Sequence, residues 1–108
     1  AIVLGAGESA RRLVGTIHRR DGWTVLALLD DDPAKQGLRI GGVTVQGTIA
    51  DVVLPHLLAG ATHVTVAMPG VAAERRERAI ELARQTGLAV MSVPPRMEVH
   101  DAPEAVPT

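Results

Sequence analysis

Four short runs rich in apolar residues recur along the chain. They cover residues 1–4, 23–29, 63–68 and 88–93, and each is followed directly by glycine, aspartate or proline. Runs of this length, with little alternation between apolar and polar positions, are typical of strands buried on both faces of a parallel sheet. The pattern therefore predicts four main strands.

Helical spacing separates these runs. After the first run, four apolar residues fall at positions i, i+3, i+4 and i+7, namely Ala10, Leu13, Val14 and Ile17. This stripe predicts an amphipathic helix that runs to about residue 20. Residues 71–86 form the longest predicted helix, and Gly87 is placed to end it as the glycine that follows many helices.

The middle of the chain carries weaker signals. Valines alternate with polar residues between glycines, which predicts one short extra edge strand over residues 43–45. Thr48 and Asp51 have the spacing of a helix capping box, so a helix is predicted over residues 49–58. Pro55 is expected to end or kink that helix, because proline lacks the backbone N–H that a helix interior uses.

The alternation of strands and helices predicts an α/β protein. With right-handed crossovers between parallel strands, the expected architecture is a Rossmann-like three-layer αβα domain. Its parallel sheet is expected to have about four strands in the order 2-1-3-4, counting main strands only, plus the short extra edge strand.

Composition narrows the chemistry that the chain can perform. It has 108 residues, the length of one domain, and contains no cysteine, tyrosine or phenylalanine. These absences exclude disulfides, cysteine-ligated metals and covalent catalysis by a thiol or a phenol. Eleven basic and 12 acidic residues give a formal net charge of −1, so we expect no nucleic-acid partner.

The candidate chemistry begins directly after the first strand. Residues 5–10 form a G-x-G-x-x-A pattern that follows a predicted strand and opens a predicted helix. Gly5 allows the tight turn, Gly7 lets a phosphate approach the backbone, and the small Ala10 lets the helix pack closely on the sheet. The free N–H groups of the first helical turn favour an anion; a glycine turn kept for packing alone is the alternative. The remaining candidates for this phosphate site are Ala6, Glu8 and Ser9.

An acidic residue stands at the distance that this pattern requires. Asp30 lies 20 residues after Ala10, at the predicted end of the second strand. A carboxylate there can bind both hydroxyl groups of an adenosine ribose and would repel a 2′-phosphate, which favours NAD over NADP. Arg39 is the only nearby basic residue that could favour NADP. Asp31 and Asp32 are expected to be turn residues before Pro33, with ligand binding as the alternative, and Asp31 is kept as a candidate ligand.

Other residues add less to the predicted site. Met68 and Pro69 end the third main strand on the same sheet edge as Gly7, where backbone contacts to a ligand are expected. Arginines and glutamates interleave over residues 74–81, which indicates a solvated helix face, with a phosphate-binding cluster as the alternative. The histidines lack metal-ligand spacing and no nucleophile–base pair is evident, so we predict neither a metal site nor a catalytic residue.

Several segments together resemble a known module. They are residues 3–8, 27–33, 40–47 and 64–69, with Gly37, Arg75 and Arg76. The combination resembles the CoA-binding-like Rossmann domain of bacterial polysaccharide-biosynthesis proteins, the membrane-anchored nucleotide-sugar 4,6-dehydratases and epimerases of capsule and lipopolysaccharide synthesis. Looser similarities are to the module that precedes the catalytic part of membrane sugar-1-phosphate transferases, and to the NAD-binding domain of redox-sensing repressors.

The resemblance implies that residues 1–95 form a nucleotide-binding domain without catalytic residues of its own, and that residues 96–108 form an extended tail or linker to an absent domain. The expected cofactor is NAD, or another nucleotide such as a UDP-sugar or CoA. The parent protein is expected to be attached to the bacterial inner membrane, with this domain in the cytoplasm beside the membrane segment and the catalytic domain of the same chain. An interaction or spacer domain with a vestigial site, which holds the catalytic domain near the membrane, is the alternative to nucleotide binding, and homo-oligomerisation is left open.

Overall fold

The computed structural model describes residues 1–17 and 24–93. In these ranges the strands are β1 (Ile2–Leu4), β2 (Ala27–Leu29), β3 (Arg39–Ile40), β4 (Val43–Gly47), β5 (His63–Val66) and β6 (Ala89–Ser92). The α-helices are α1 (Glu8–Ile17), α2 (Pro55–Leu58) and α3 (Ala73–Arg84), and two 3₁₀ helices cover Pro33–Lys35 and Ile49–Val53.

The strands form one sheet in the order β3-β4-β2-β1-β5-β6. Neighbouring strands are parallel, except that β3 and β4 are antiparallel. β1 lies near the centre, where Val3 is in register with Leu28 of β2 and with Thr65 of β5. The segment β2-β1-β5-β6 is the predicted order of the main strands, so that prediction is confirmed.

The predicted extra strand is present, but it does not lie at the edge. β4 pairs in parallel with β2, and β3 forms the edge beyond it. Gly41 and Gly42 join β3 to β4 and have φ angles of 61° and 86°. Two consecutive residues with positive φ make the tight turn that suits a two-residue hairpin, so the Gly-Gly pair was a hairpin signal that the sequence prediction missed.

The helix predicted over residues 49–58 is two short helices. Residues 49–53 form a 3₁₀ helix whose capping interaction is as predicted, since the N–H of Thr48 donates to Asp51 Oδ2 at 2.9 Å. Leu54 is extended, with φ −74° and ψ 130°, and α2 begins at Pro55. The residue before a proline avoids the helical conformation, and proline suits the first turn of a helix, so Pro55 separates the two helices and starts the second.

The sheet separates two hydrophobic clusters, which confirms the three-layer arrangement. On one face, Ile2 and Leu4 pack with Ala79 of α3 and with the 3₁₀ helix over 49–53. On the other face, Val3 packs with Val14 of α1. These side chains are almost completely buried. Since β1 is covered on both sides, its position is fixed and its carboxyl end is held in place for the loop that follows.

Some sequence predictions fall outside the described residues. They are the end of the first helix beyond Ile17, the start of the second strand at Trp23, and the tail over residues 96–108. Within the described ranges, the helices are all too short or too polar to cross a membrane.

Candidate functional site

An open cavity of about 350 Å³ lies where the carboxyl ends of β1, β2 and β5 meet. This edge of a parallel sheet is where ligands bind in open α/β folds. The cavity is lined by every residue that the sequence proposed as a ligand contact, namely residues 5–9, Asp30, Asp31, Met68 and Pro69. Ligand binding by these residues remains a prediction, but they surround one space.

Gly5 is required by the fold. Its φ is +109°, a conformation that L-residues rarely adopt. A Cβ placed on it would lie 2.6 Å from the carbonyl oxygen of Ala67, directly after β5. The N–H of Gly5 also donates to the carbonyl of Leu29 at 2.7 Å. Gly5 therefore allows the tight turn out of β1, as predicted. It also allows the segment after β5 to approach closely.

Gly7 is not explained by packing. Its φ is not positive, and a Cβ placed on it would have no heavy atom within 4 Å. Neither backbone strain nor a neighbouring group therefore calls for glycine at this position. The space beside Gly7 belongs to the open cavity, so the missing side chain leaves the backbone accessible to a ligand.

The first turn of α1 presents unpaired donors at the cavity. The first helical hydrogen bond runs from the N–H of Arg11 to the carbonyl of Gly7 at 3.0 Å. The N–H groups of residues 8–10 therefore have no acceptor within the helix. Glu8 lies at the cavity rim, where its carboxylate is 3.6 Å from Arg12 Nε. Both side chains are exposed, so this pair contributes little energy, but it keeps the carboxylate beside a positive charge.

Asp30 connects two of the loops that form the cavity. Its Oδ2 accepts a hydrogen bond from the N–H of Ala6 at 2.8 Å, and its Oδ1 accepts one from the N–H of Asp32 at 2.8 Å. The carboxylate that was predicted as a ribose ligand therefore also fixes the shape of the glycine loop. Each carboxylate oxygen has a second lone pair, so the group can still accept bonds from two ribose hydroxyls.

The two aspartates after Asp30 have different roles. Asp31 Oδ1 accepts a hydrogen bond from the N–H of Ile49 at 2.9 Å, which fastens the segment after β4 to the end of β2. Asp31 thus lines the cavity and also anchors a loop. Asp32 Oδ1 accepts from the N–H of Ala34 at 2.9 Å and caps the 3₁₀ helix Pro33–Lys35, which is the predicted turn role.

Lys35 is a lining residue that the sequence prediction missed. The capped 3₁₀ turn returns its side chain to the glycine loop, where Nζ lies 3.4 Å from the carbonyl oxygen of Ala6. The ammonium group is therefore beside the helix N-terminus, where an anion would bind. An aspartate–proline pair directly after a strand indicates a tight turn, and this signal could have placed the lysine near the sheet edge.

The arginines also differ from expectation. Arg39, which was considered as the nearby basic residue, donates to the carbonyl of Gly42 at 3.1 Å within the hairpin and does not line the cavity. Arg75 does line the cavity, although its segment was predicted to be mainly solvated. Arg76 donates to the carbonyl of Val71 at 3.1 Å and so braces the loop between β5 and α3.

The groups around the cavity are suited to binding an anion and hydroxyl groups. The cavity is lined by cationic side chains, Lys35 and Arg75, and by the first turn of α1 with its free N–H groups. It is also lined by the carboxylates of Asp30 and Asp31, which can accept hydrogen bonds. Within residues 1–17 and 24–93, no three histidine, aspartate or glutamate side chains are placed to hold a metal ion. His56 is exposed on α2, and His63 lies at the start of β5, at the opposite end of the strand from the cavity.

No protein-family model and no curated protein sequence matches this chain. Its fold does match solved structures. UDP-D-quinovosamine 4-dehydrogenase from Vibrio fischeri superposes with a TM-score of 0.74 over 96% of this chain and 82% of that chain, at 19% sequence identity. RSP, a Rex-family repressor, superposes with TM-scores of 0.66 in complex with β-NADH and 0.65 in a second structure, each at 14% identity over 96% of this chain.

The chain spans 82% of the Vibrio fischeri protein but only 55% of the repressor, so much of the repressor has no counterpart in it. At identities of 14% and 19%, the likeness concerns the fold alone. The chain therefore has the Rossmann-type α/β fold.

Proposed function

We propose that this chain is a nucleotide-binding module, with NAD as the first candidate ligand and another nucleotide that contains a diphosphate, such as a UDP-sugar or CoA, as the alternative. The observation that carries the proposal is Gly7. Neither its φ nor its surroundings require glycine, yet its backbone faces the open cavity beside the unpaired N–H groups of α1. A diphosphate is the group that uses such a surface.

The charges around the glycine loop support a diphosphate. The N-terminus of a helix attracts an anion by about 0.3–1 kcal/mol at an exposed site. Lys35 adds a full positive charge beside the carbonyl oxygen of Ala6. Glu8 opposes them, but Arg12 lies beside its carboxylate. The balance at this end of the cavity therefore favours a group with two phosphates.

The acidic side of the cavity supports a ribose with free hydroxyls. Asp30 keeps acceptor capacity after its two backbone hydrogen bonds, and Asp31 adds a second negative charge next to it. A phosphate on the ribose would approach both carboxylates and be repelled. NAD is therefore a better candidate than NADP or CoA, both of which carry a phosphate on the ribose, with Asp30 as the ribose ligand.

The parent protein in this proposal is a nucleotide-sugar 4,6-dehydratase or epimerase of polysaccharide synthesis, attached to the bacterial inner membrane with this domain in the cytoplasm. Two facts support that context. The Vibrio fischeri protein of the same fold carries the name of a UDP-sugar dehydrogenase. The lining residues of the cavity include no histidine or cysteine, which suits a module that leaves the chemistry to another domain. A membrane sugar-1-phosphate transferase is the alternative parent.

The longer protein that contains this chain would distinguish these parents. A downstream Tyr-x-x-x-Lys motif, whose tyrosine and lysine form an acid/base pair, supports the dehydratase. A single downstream membrane-associated catalytic segment supports the transferase instead.

Redox sensing is a second candidate function, favoured by the fold shared with a repressor that has been crystallised with β-NADH. It requires the module to discriminate NADH from NAD. Titration calorimetry of the 108-residue chain with NAD, NADH, NADP, a UDP-sugar and CoA tests the binding proposal and this alternative together. Binding of NAD and NADH with equal affinity would count against redox sensing. If none of the five binds at millimolar concentration, the nucleotide-binding proposal fails.

A further inference from the structure

A second open cavity, of about 250 Å³, adjoins the first. The two share Asp31, Ile49, Met68 and Arg75, so they form one crevice that continues from the glycine loop towards α3. Asp31 stands directly after Asp30, which is the proposed ribose ligand. A group attached to that ribose is therefore within reach of the second cavity, and this inference rests on the proposed nucleotide binding.

The second cavity has an apolar floor and a cationic rim. Ile49, Met68 and Ala79 contribute to the floor and are all buried to more than nine-tenths. Arg75 and Arg78 stand on the rim, one helical turn apart on α3. An apolar surface of this kind does not suit a phosphate, which needs hydrogen-bond donors all round, but it does suit the face of a planar ring.

The two rim arginines are not used elsewhere. Within the described residues, Arg75 and Arg78 make no side-chain hydrogen bond or ion pair, although both are on a helix rich in glutamate. Two other arginines of α3 differ from them. Arg76 is bonded to the carbonyl of Val71, and Arg84 lies 3.9 Å from Glu81. The guanidinium groups at the cavity are thus free to contact a ligand.

The composition of the chain leaves few side chains that could stack on a nucleobase, and the guanidinium groups of arginine are among them. The chain has no phenylalanine or tyrosine, and its single tryptophan, Trp23, lies outside the described residues. Proteins that hold a nucleobase by its face use aromatic rings or the guanidinium plane of arginine. In the described part of the chain, the rings of His56 and His63 do not line this cavity, whereas two arginines border it and offer such a plane.

We propose that the second cavity binds the base of the nucleotide, with one face on Ile49 and Met68 and the other covered by the guanidinium groups of Arg75 and Arg78. Asp31 Oδ1 is occupied by the N–H of Ile49, which leaves Oδ2 to accept a bond from an exocyclic amino group. Adenine carries such a group and the larger stacking surface, whereas uracil presents a carbonyl in its place. The site therefore selects an adenine nucleotide over a uridine nucleotide.

Titration calorimetry with ADP, IDP, UDP and inorganic pyrophosphate tests this assignment. IDP differs from ADP by a carbonyl in place of the amino group, and pyrophosphate has no base. The wild-type chain should bind ADP most tightly, IDP less tightly and UDP least tightly. A wild-type chain that binds UDP as tightly as ADP would overturn the assignment while leaving nucleotide binding intact. If neither ADP nor pyrophosphate binds, both the assignment and the proposed function fail.

The variant to compare is the double substitution Arg75→Lys with Arg78→Lys, which keeps both charges and removes both planes. Without either stacking plane, the affinity for ADP should fall about tenfold while that for pyrophosphate is unchanged. Arg84→Lys, on the same helix but outside both cavities, is the control and should change neither affinity. Unchanged ADP binding by the double variant, or an equal loss for ADP and pyrophosphate, shows that the arginines bind phosphate or nothing, and the assignment fails.

Discussion

The carboxylate of Asp30 accepts a hydrogen bond from the backbone N–H of Ala6 at 2.8 Å, across 24 positions of sequence. The end of β2 thereby fixes the loop that follows β1. The same carboxylate is the proposed ribose ligand, so loop shape and ligand recognition depend on one side chain. A substitution at Asp30 is consequently expected to alter stability as well as binding.

Asp30→Asn should lower the free energy of unfolding by about 1 kcal/mol, because a partly buried backbone N–H would lose its acceptor. Both oxygens of Asp30 accept backbone N–H groups, and the amide nitrogen of asparagine would face one of those donors. Asp32→Asn is the matched control, because asparagine caps a helix as well as aspartate does. Urea denaturation of both variants measures the difference. Equal stability of the two variants would show that the bond to Ala6 does not support the loop.

Gly5→Ala should destabilise the fold more than Gly60→Ala. Both glycines have positive φ, and alanine in the left-handed region costs about 1–2 kcal/mol. A Cβ on Gly60 meets no atom within 4 Å, whereas one on Gly5 lies 2.6 Å from the carbonyl oxygen of Ala67. The difference between the unfolding midpoints of the two variants, in heat or in urea, measures the cost of the contact with Ala67. Variants with the same stability would contradict the packing of the loop against β5.

Lys35→Met should weaken the binding of NAD about tenfold or more, since one charge-assisted hydrogen bond contributes about 1.5–3 kcal/mol. The fold should be unaffected, because within residues 1–17 and 24–93 the ammonium group makes only a long hydrogen bond to the carbonyl of Ala6. Arg39→Met is the control, as Arg39 belongs to the hairpin and does not line the cavity. Calorimetry at two salt concentrations measures both affinities. A larger loss for the Arg39 variant would place the phosphates elsewhere.

NAD should bind more tightly than NADP, and Asp31→Asn should narrow that preference. Asparagine keeps the Oδ1 acceptor for the N–H of Ile49 but removes one of the two negative charges that face a 2′-phosphate. The ratio of the two dissociation constants, measured side by side with Asp32→Asn as control, reports the effect. An unchanged ratio would mean that the carboxylate of Asp31 does not face the ribose.

The sequence predicted the parts of the fold that depend on local pattern. Short apolar runs indicated the four main strands, and the expected right-handed crossovers predicted their order around β1. β6 lies at the sheet edge and is largely exposed, so the expectation of strands buried on both faces was wrong for it. β3 was missed because two residues, Arg39 and Ile40, are too few to show a periodicity. The break at Pro55 was predicted in part, since the residue before a proline avoids the helical conformation. That a second helix begins at Pro55 was not predicted, because it depends on the extended conformation of Leu54.

The candidate site was predictable where one residue type has one physical role. Gly5 and Gly7 were identified because a tight turn and a ligand that approaches the backbone both call for glycine. Asp30 was identified because a ribose ligand at the end of a strand calls for a carboxylate. Lys35 and Arg75 were not, because lysine and arginine occur on any surface. Only the path of the 3₁₀ turn and the packing of α3 bring them to the cavity. The hydrogen bond between Asp30 and the glycine loop depends likewise on the distance between β1 and β2, which the sequence alone does not reveal.

The affinity of the Gly7→Val variant for NAD, measured by titration calorimetry, tests nucleotide binding at the glycine loop most directly. A Cβ at this position has no heavy atom within 4 Å, so the loss of stability should stay at about 1 kcal/mol, as for a poor helix cap. Gly15→Ala, on α1 and away from the cavity, is the control and should bind as wild type does. Gly7→Val should unfold cooperatively like the wild type and show no NAD binding. A Gly7→Val variant that binds NAD as tightly as the wild type would show that the ligand does not lie on the glycine loop.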